Sequence, residues 1–242
     1  MARGDMGGLR SEHSRYGLAV FNDGLPMRFD SNYLLVDELD PAVTADELLA
    51  EAVRLRRPSV FVRDLETATR LAAGFEGHGW RLHRGLVMAY QGGDVVPADE
   101  HDIREVAEAE LRSARRRQGA EEYGAPAEVI EQLLDAKVEI GRAVTARFFA
   151  VFAGDEVISY TDLYSDGETA QVEDVATLRE HRRHGHASRL VAHAVRVARA
   201  EGCSLVFLVA DDDGDAKRLY QRLGFNDLGR YVKFIQPELP GI

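Results

Sequence analysis

Residues 178–190 read LREHRRHGHASRL, and this stretch decides how the second half of the chain is interpreted. Arginine and histidine side chains surround a single glycine, Gly185. The run VEDVAT before it alternates as a strand does, and ASRLVAHAVRVARAEG at residues 187–202 overlaps its end. This second run predicts a helix, because apolar residues recur on one face at Leu190, Val191, Ala194, Val195 and Ala198.

The loop between that strand and that helix has the chemistry of a phosphate site. The first N–H groups of a helix are unpaired, and the helix dipole adds positive charge there. A glycine lets a phosphate approach the main chain, and arginine adds charge-assisted hydrogen bonds. Arg182, Arg183 and Gly185 stand just before the small residues Ala187 and Ser188. A basic turn before a helix is also common on surfaces, so the loop alone leaves both interpretations open.

The pattern around the loop predicts an α/β (α+β) fold. Residues 98–116 and 125–143 are amphipathic and predict two helices. Residues 146–178 predict three antiparallel strands joined by turns that contain glycine. Downstream, SLVFLVA predicts a strand buried on both faces, and DAKRLYQRLG predicts a short helix before a last strand.

The order of these motifs resembles the GNAT acyltransferase superfamily, whose members transfer an acyl group from coenzyme A to an amine. The family's loop, Arg/Gln-x-x-Gly-x-Gly/Ala, is matched by Arg182, Gly185 and Ala187. A later motif, which ends in Gly-Phe, is matched by Ala216, Leu219, Tyr220, Gly224 and Phe225. The resemblance covers about residues 97–236. It implies a mixed, mostly antiparallel central sheet flanked by helices.

The resemblance also implies a binding mode for acetyl coenzyme A. The main chain of Val175 and Thr177 would pair with the pantetheine arm like an added strand. The pyrophosphate would be wrapped by loop amides, those of Arg182, Arg183, His184, Gly185, His186 and Ala187, with Ser188 opening the helix. Asp213 stands where the family has an asparagine beside the cofactor, and this departure puts that contact in question.

Three side chains are candidates for proton transfer. By the resemblance, Tyr220 would protonate the leaving thiolate, and a tyrosine does stay protonated at neutral pH. The alternative for Tyr220 is a core aromatic. The amine must lose a proton, and Glu173 and Asp174 lie on the strand before the loop. Because side chains alternate along a strand, Glu173 and Asp174 are predicted to lie on opposite faces. Glu173 would lie on the same face as Val175 and Thr177, and it is the favoured base. A paired or solvated strand carboxylate is the alternative for each.

The loop histidines and the cysteine predict no further chemistry. His181, His184 and His186 have no accompanying cysteine or carboxylate pattern, so we expect solvated loop histidines and no metal site. Cys203 is the only cysteine, which excludes an intramolecular disulfide. It stands at the entry to an apolar strand, which predicts a small buried residue rather than a reactive thiol.

The first half repeats the order strand, helix, strand, helix, strand. Its first helix, residues 44–55, begins with Thr44 and Glu47 in a capping-box pattern, and residues 80–90 predict a closing strand. Where the repeat predicts a phosphate loop, DELDPAVTADEL is acidic and lacks glycine, so we expect no coenzyme A there.

The halves together indicate a tandem protein whose two parts meet near residues 91–98. Residues 1–15 are predicted to be a flexible N-terminus. Residues 16–96 are predicted to be a degenerate GNAT-like domain, structural or forming one wall of the acceptor pocket. Residues 97–242 are predicted to be the N-acetyltransferase domain.

Composition narrows the possible partners. The net charge is −11 and acidic residues run through both halves, which argues against nucleic acid as a partner. No apolar run approaches the ~18–20 residues of a membrane helix, and residues 1–17 lack the apolar segment of a secretory signal. We therefore expect a cytoplasmic, bacterial protein with no membrane partner.

These observations predict an acetyl-CoA-dependent N-acetyltransferase that acts on a small-molecule amine by direct attack in a ternary complex. Three alternatives stay open. They are a non-enzymatic coenzyme A binder or sensor, an interaction module that keeps only the fold, and an acetyltransferase of protein lysines. The pattern specifies neither the acceptor nor the oligomeric state.

Overall fold

The computed structural model describes residues 9–25, 28–36, 39–92, 102–124 and 126–236. Residues 1–8 of the predicted flexible N-terminus, and residues 93–98 of the predicted boundary, lie outside this part of the chain. Residues 9–14 were also predicted to be flexible, and they form a strand instead.

Eleven strands and six α-helices follow one another along the described residues. The strands are β1 (Leu9–Ser14), β2 (Gly17–Asn22), β3 (Tyr33–Val36), β4 (Ser59–Val62), β5 (Arg81–Tyr90), β6 (Ile103–Val106), β7 (Thr145–Ala153), β8 (Glu156–Ser165), β9 (Thr169–Thr177), β10 (Leu205–Asp211) and β11 (Phe225–Ile235). The helices are α1 (Ala45–Arg54), α2 (Leu65–Gly77), α3 (Glu108–Tyr123), α4 (Ala127–Ala143), α5 (His186–Ala200) and α6 (Ala216–Arg222). None of these helices combines the length and apolar character that crossing a bilayer requires.

Contacts divide the chain into two compact units. Among the described residues, the first unit contains 9–86, 211–214 and 229–236, and the second unit contains 87–210 and 215–228. These boundaries differ from those of the predicted domains, because residues 229–236 group with the first half of the chain. The assignment of 16–96 and 97–242 as domains stays a prediction.

The first unit has strands in the order β1–β2–β3–β4–β11. β3 and β4 are parallel and the other neighbours are antiparallel. The antiparallel partner of β4 is β11, where Val232 and Phe234 face Val62 and Val60, whereas the sequence predicted residues 80–90 as the closing strand of this half. Phe234 is fully buried, and its ring stacks on Phe75 of α2 with 4.1 Å between centroids.

The second unit has strands in the order β10–β9–β8–β7–β6, with only β9 and β10 parallel among these neighbours. α3 packs on β8 and α4 on β7, while α5 packs on β8 and β9. Phe148 packs with Leu111 of α3, and the adjacent Phe149 contacts His193 of α5, so the helices cover opposite faces. The predicted mixed, mostly antiparallel sheet flanked by helices is confirmed.

One helix prediction in the second unit was wrong. Residues 98–116 were expected to form a single helix, but Ile103–Val106 form β6 and the helix α3 begins only at Glu108. Apolar residues at 103 and 106 suit a helix face, yet this segment pairs with β7 from Ile103↔Val151 to Val106↔Phe148. Pairing with β7 therefore determines the conformation of this segment more strongly than its helical periodicity does. The second helix, predicted over 125–143, is confirmed as α4.

Candidate functional site

An opening between β9 and β10 lies at the centre of the candidate site. The two strands pair from Thr169↔Leu205 to Val172↔Leu208. β9 then continues to Thr177 and β10 to Asp211 without further pairing between them. Beyond Val172, the main-chain groups on the edge of β9 that faced β10 therefore have no partner in β10. Such an edge can accept another extended chain through its main-chain groups.

A β-bulge in β9 lies at the point where the strands part. Asp162 of β8 faces Glu173 and Tyr160 faces Ala176, so the single residue Thr161 lies opposite two. Asp174, inside the bulge, has a φ of 52°, a left-handed conformation that few non-glycine residues adopt. Bulges of this kind bend a strand and redirect side chains, and they are frequent beside active sites.

The bulge changes which faces the two acidic side chains occupy. Asp162 and Glu173 are directly opposite each other and so share a face, and Asp162 binds Lys137 of α4. Asp174 also binds Lys137, so it lies on the same face, toward α3 and α4. The prediction of opposite faces for Glu173 and Asp174 was therefore wrong, because alternation fails where two residues oppose one.

The bulge also places Glu173 on a different face of the sheet from Val175 and Thr177, with which strict alternation would group it. Thr177 faces Ser159 and its Oγ1 lies 2.8 Å from the Ser159 hydroxyl. Ser159 and Tyr160 alternate along β8, and Tyr160 packs toward α3, so Thr177 points to the α5 side. Val175, two residues from Thr177, shares its face, and Glu173 does not.

The loop before α5 leaves the start of that helix open. Arg183 and Gly185 both have positive φ, 70° and 81°, while His184 between them does not. Alternating backbone signs turn successive N–H groups toward one concave side, which is a common anion-binding arrangement. Gly185 is the N-cap of α5, no side chain caps it, and the first turn carries no acidic residue. A Cβ on Gly185 would meet no atom within 4 Å, so the space beside the loop is open.

The helix starts of the first unit are already satisfied by the protein's own side chains. At α1, the predicted capping box is confirmed: the Thr44 hydroxyl accepts from the Glu47 amide at 3.3 Å, and the Glu47 carboxylate accepts from the Thr44 amide at 3.0 Å. At α2, the Asp64 carboxylate accepts from the Thr67 amide at 2.7 Å. A phosphate would meet a carboxylate at either helix start, unlike at α5.

Tyr220 of α6 and Glu173 lie close enough to influence each other's charge. Burial, with a further contribution from the negative charge of Glu173, raises the pKa of Tyr220 to about 12. The Glu173 carboxylate accepts a hydrogen bond from the Gln171 side-chain amide at 2.6 Å. Tyr220 is thus protonated at neutral pH and feels the charge of Glu173.

Asp174 belongs to a buried ion cluster that sequence reasoning did not identify. Its Oδ2 lies 3.2 Å from Nζ of Lys137 and 3.3 Å from Nε of Arg115 on α3. Both cations also bind Asp162, which is completely buried and accepts from the Tyr164 hydroxyl at 2.6 Å. The available signal was Asp162 itself, a carboxylate in the middle of a strand segment, β8, that is buried along nearly its whole length and therefore requires buried partners.

The remaining predicted residues have contacts of their own. Arg182 donates from Nε to the Thr177 carbonyl at 3.0 Å, and its guanidinium pairs with Glu122 of α3. His186 accepts from Arg189 at 2.8 Å. Asp213, predicted beside the cofactor, belongs to the first unit, where its carboxylate pairs with Arg84 at 3.2 Å.

The loop histidines and the cysteine have the following surroundings. His184 Nδ1 lies 3.2 Å from the His181 carbonyl, and the His184 and His186 rings are 6.0 Å apart. No group of three or more metal-ligating side chains forms among the residues that are described. Cys203 is buried as predicted, with Sγ 3.3 Å from the Ser165 hydroxyl.

Comparison with known proteins adds a family match. Residues 104–225 match the model of the family described as "Acetyltransferase (GNAT) family". Among curated proteins, none is similar in sequence to this chain.

Solved structures share the fold along most of the chain. A protein from Staphylococcus epidermidis, described as functionally unknown and conserved, has a TM-score of 0.73 at 15% identity, covering 97% of this chain and 94% of its own. The "GCN5-related N-acetyltransferase from Kribbella flavida" has a TM-score of 0.60 at 20% identity, covering 96% and 90%. A tandem GNAT protein from the clavulanic acid biosynthesis pathway has a TM-score of 0.55 at 16% identity, covering 94% and 82%. At these identities the likeness concerns the fold alone.

Proposed function

This chain belongs to the acetyltransferase (GNAT) family, and from that premise we propose that it transfers an acetyl group from acetyl coenzyme A to the primary amine of a small molecule. The observation that carries the proposal is the uncapped start of α5 near the open edge of β9. An open helix start binds anions, and an unpaired strand edge binds an amide-bearing chain. Coenzyme A combines a pyrophosphate with an arm that contains amide groups, so it suits both features.

The residues that would hold the cofactor lie on β9 and at the start of α5. Acetyl coenzyme A supplies the acetyl group as a thioester, and coenzyme A leaves with a free thiol. The main chain of Val175 and Thr177 would hold the pantetheine arm. The pyrophosphate would be held by the main chain of Arg182, Arg183, His184, Gly185, His186, Ala187 and Ser188. Asp213 is left out of this set, because its carboxylate pairs with Arg84.

Two side chains assist the transfer, Glu173 as the base and Tyr220 as a hydrogen-bond donor. The amine loses a proton as its nitrogen bonds to the acetyl carbon, and Glu173 accepts that proton directly or through a water. Tyr220 donates a hydrogen bond to the sulfur as the C–S bond breaks, and the thiolate then takes a proton from solvent. The contribution of the Glu173 charge to the raised pKa of Tyr220 supports this division. The attack is direct, within a complex that contains both the cofactor and the amine.

The test uses the full chain with acetyl coenzyme A and a panel of small primary amines that includes monoamines, diamines and amino acids. We expect amine-dependent release of free thiol, read with a colorimetric thiol reagent, and binding of coenzyme A in a calorimetric titration. Binding of coenzyme A without thiol release from any amine would favour a non-enzymatic coenzyme A binder instead. Absence of coenzyme A binding would overturn the proposal.

Gly185→Ala is expected to weaken coenzyme A binding about 10-fold or more, because the added methyl group occupies the side from which a phosphate approaches the loop. A calorimetric titration with coenzyme A measures this. The matched control is Gly202→Ala, at the other end of α5, where φ is 90° and no atom lies within 4 Å of an added Cβ. Both variants carry a similar backbone strain, of about 1 kcal/mol, so equal losses of affinity would contradict the loop assignment.

A further inference from the structure

The ion cluster around Asp174 leaves one carboxylate oxygen without a partner in the part of the chain that the structure describes. Oδ2 of Asp174 contacts both Lys137 and Arg115, at 3.2 and 3.3 Å. Oδ1 makes no hydrogen bond or ion pair with any residue that the structure describes. The side chain is 28% exposed, although the cations around it are largely buried. A charged acceptor atom is therefore available at the bulge.

Asp174 lies on the face of the sheet that remains for the acceptor when the cofactor is bound. The candidate phosphate loop opens α5, and α5 covers the opposite face of the sheet from α3 and α4. A cofactor bound along the edge of β9 would lie in the plane of the sheet and reach the loop on the α5 side. The α3–α4 side, to which Glu173 and Asp174 both point, remains for the second substrate.

Resting on the proposed function, we infer that Asp174 is the residue that binds the acceptor amine, through Oδ1, and that Lys137, Arg115 and Asp162 position it. The amine arrives in its ammonium form and donates an N–H to this oxygen. Glu173, whose side chain lies on the same face, takes one proton from the ammonium ion, directly or through a water, which frees the nitrogen lone pair for attack on the acetyl carbon. The second proton leaves the nitrogen as the C–S bond breaks and reaches the departing thiolate through solvent. The acceptor class is accordingly a cationic primary amine with an unhindered nitrogen.

The backbone at Asp174 supports this role. A left-handed conformation at a non-glycine residue costs free energy, and it persists where surrounding contacts hold it. Here Lys137 from α4 and Arg115 from α3 hold the carboxylate, and Asp162 fixes both cations from β8. Arg115 is fixed again by Glu108, whose Oε1 lies 3.0 Å away. The cluster thus aims a carboxylate that ordinary strand alternation would turn to the other face.

The cluster also keeps this carboxylate ionised. Burial alone would raise the pKa of Asp174, but the charges of Lys137 and Arg115 outweigh burial and hold the pKa below its ordinary value. A carboxylate with a lowered pKa is a poor base and a good binding partner for a cation. Several titratable or charged groups face it, namely Arg115 from α3, Lys137 from α4, Asp162, Tyr160 and Tyr164 from β8, and Glu173 beside it on β9.

The first test is Asp174→Asn, assayed with the panel amine that the wild-type protein turns over fastest. Asparagine keeps an acceptor oxygen but loses the charge, so KM for the amine is expected to rise about 10- to 100-fold. KM for acetyl coenzyme A is expected to stay within about twofold, because the ion-pair partners of Asp174, Lys137 and Arg115, are not residues of the loop. Asp155→Asn, the same change in an exposed turn, should alter neither value.

The second test separates a binding role from a purely structural one. Lys137→Gln removes one of the two cations, so the pKa of Asp174 rises. The charged form of Asp174 exists above its pKa and is lost as the pH falls through it. The acid limb of kcat/KM for the amine should therefore move to higher pH in Lys137→Gln. A structural role would lower the melting temperature and leave that limb in place.

The outcomes distinguish this inference from the proposed function. An unchanged KM for the amine in Asp174→Asn, with wild-type turnover intact, would overturn the role of Asp174 and leave the acetyltransferase proposal standing. Coenzyme A binding without turnover of any amine by the wild-type protein would overturn both. If Asp174→Asn folds poorly, as its melting temperature and coenzyme A affinity would reveal, the acid limb of Lys137→Gln decides.

Discussion

The variant Tyr220→Phe is expected to turn over about 100- to 1000-fold more slowly than the wild-type protein, with coenzyme A affinity unchanged within about twofold. The substitution removes one hydroxyl group from a buried ring that packs edge-on against Phe225, with 6.2 Å between centroids. The ring keeps its place, so the fold and the cofactor site should persist. The loss should appear in kcat and in kcat/KM alike, because the hydroxyl acts only as charge develops on sulfur.

The physical reason lies in the protonation of the hydroxyl. Burial and the charge of Glu173 raise the pKa of Tyr220 to about 12, so the donating, protonated form persists up to that pH. An ordinary thiol has a pKa of about 8.5, so complete transfer of the tyrosine proton to a thiolate is uphill. The contribution of Tyr220 is therefore a hydrogen bond to the leaving sulfur in an environment with little water. A fall in rate at alkaline pH well below 12 must then have another origin.

Tyr90→Phe is a matched control for this variant. The Tyr90 ring also packs edge-on against Phe225, at 5.6 Å between centroids and the same 64° between ring planes. Removing its hydroxyl should leave kcat within about twofold. Steady-state thiol release and a calorimetric titration with coenzyme A measure both properties. If Tyr220→Phe kept most of the wild-type kcat, Tyr220 would be a core aromatic and not a donor.

Phe234→Ala is expected to lower the free energy of unfolding of the first unit by about 3–5 kcal/mol. Phe234 is fully buried on β11, and its ring lies nearly parallel to that of Phe75, at 3° and 4.1 Å. The substitution deletes most of this contact and leaves a cavity in the core that β4, β11 and α2 enclose. Large-to-small changes at such sites lose both burial and packing.

The measurement can follow a single fluorophore. Trp80 is the only tryptophan of the chain, is buried in the same core, and contacts Phe75 with 5.5 Å between ring centroids. Urea unfolding followed by tryptophan fluorescence therefore reports on this core. Leu228→Ala is the control, since Leu228 lies on the same strand with 59% of its surface exposed and should change the midpoint little. Equal effects of the two variants would contradict the assigned packing.

Features set by local chemistry could be predicted from the sequence. The capping box of Thr44 and Glu47 involves residues three positions apart, and its geometry follows from that spacing. The loop before α5 likewise follows from Gly185 standing at a helix start. The buried strand β10 was evident from its uninterrupted apolar run.

Features that depend on distant pairing could not be predicted in this way. The bulge at Asp174 exists only relative to the residues of β8 opposite it, and its register shift moved Asp174 to the face that Glu173 occupies. The ion cluster joins residues of α3, α4, β8 and β9, and the sequence of no single segment predicts that arrangement. The sequence also left the antiparallel partner of β4 undetermined, because the two halves end in similar strands, β5 and β11. In the structure β4 pairs with β11.

The pairing of β11 with β4 has a consequence for how the protein is made on the ribosome. Residues 9–86 leave the exit tunnel well before Val232 and Phe234, which complete their sheet and core, have been synthesised. Domains usually fold in the order in which they are synthesised. Here the earlier segment must wait with its apolar edge exposed until β11 has been translated. Nascent chains stalled before residue 232 should therefore be bound by chaperones through this early segment.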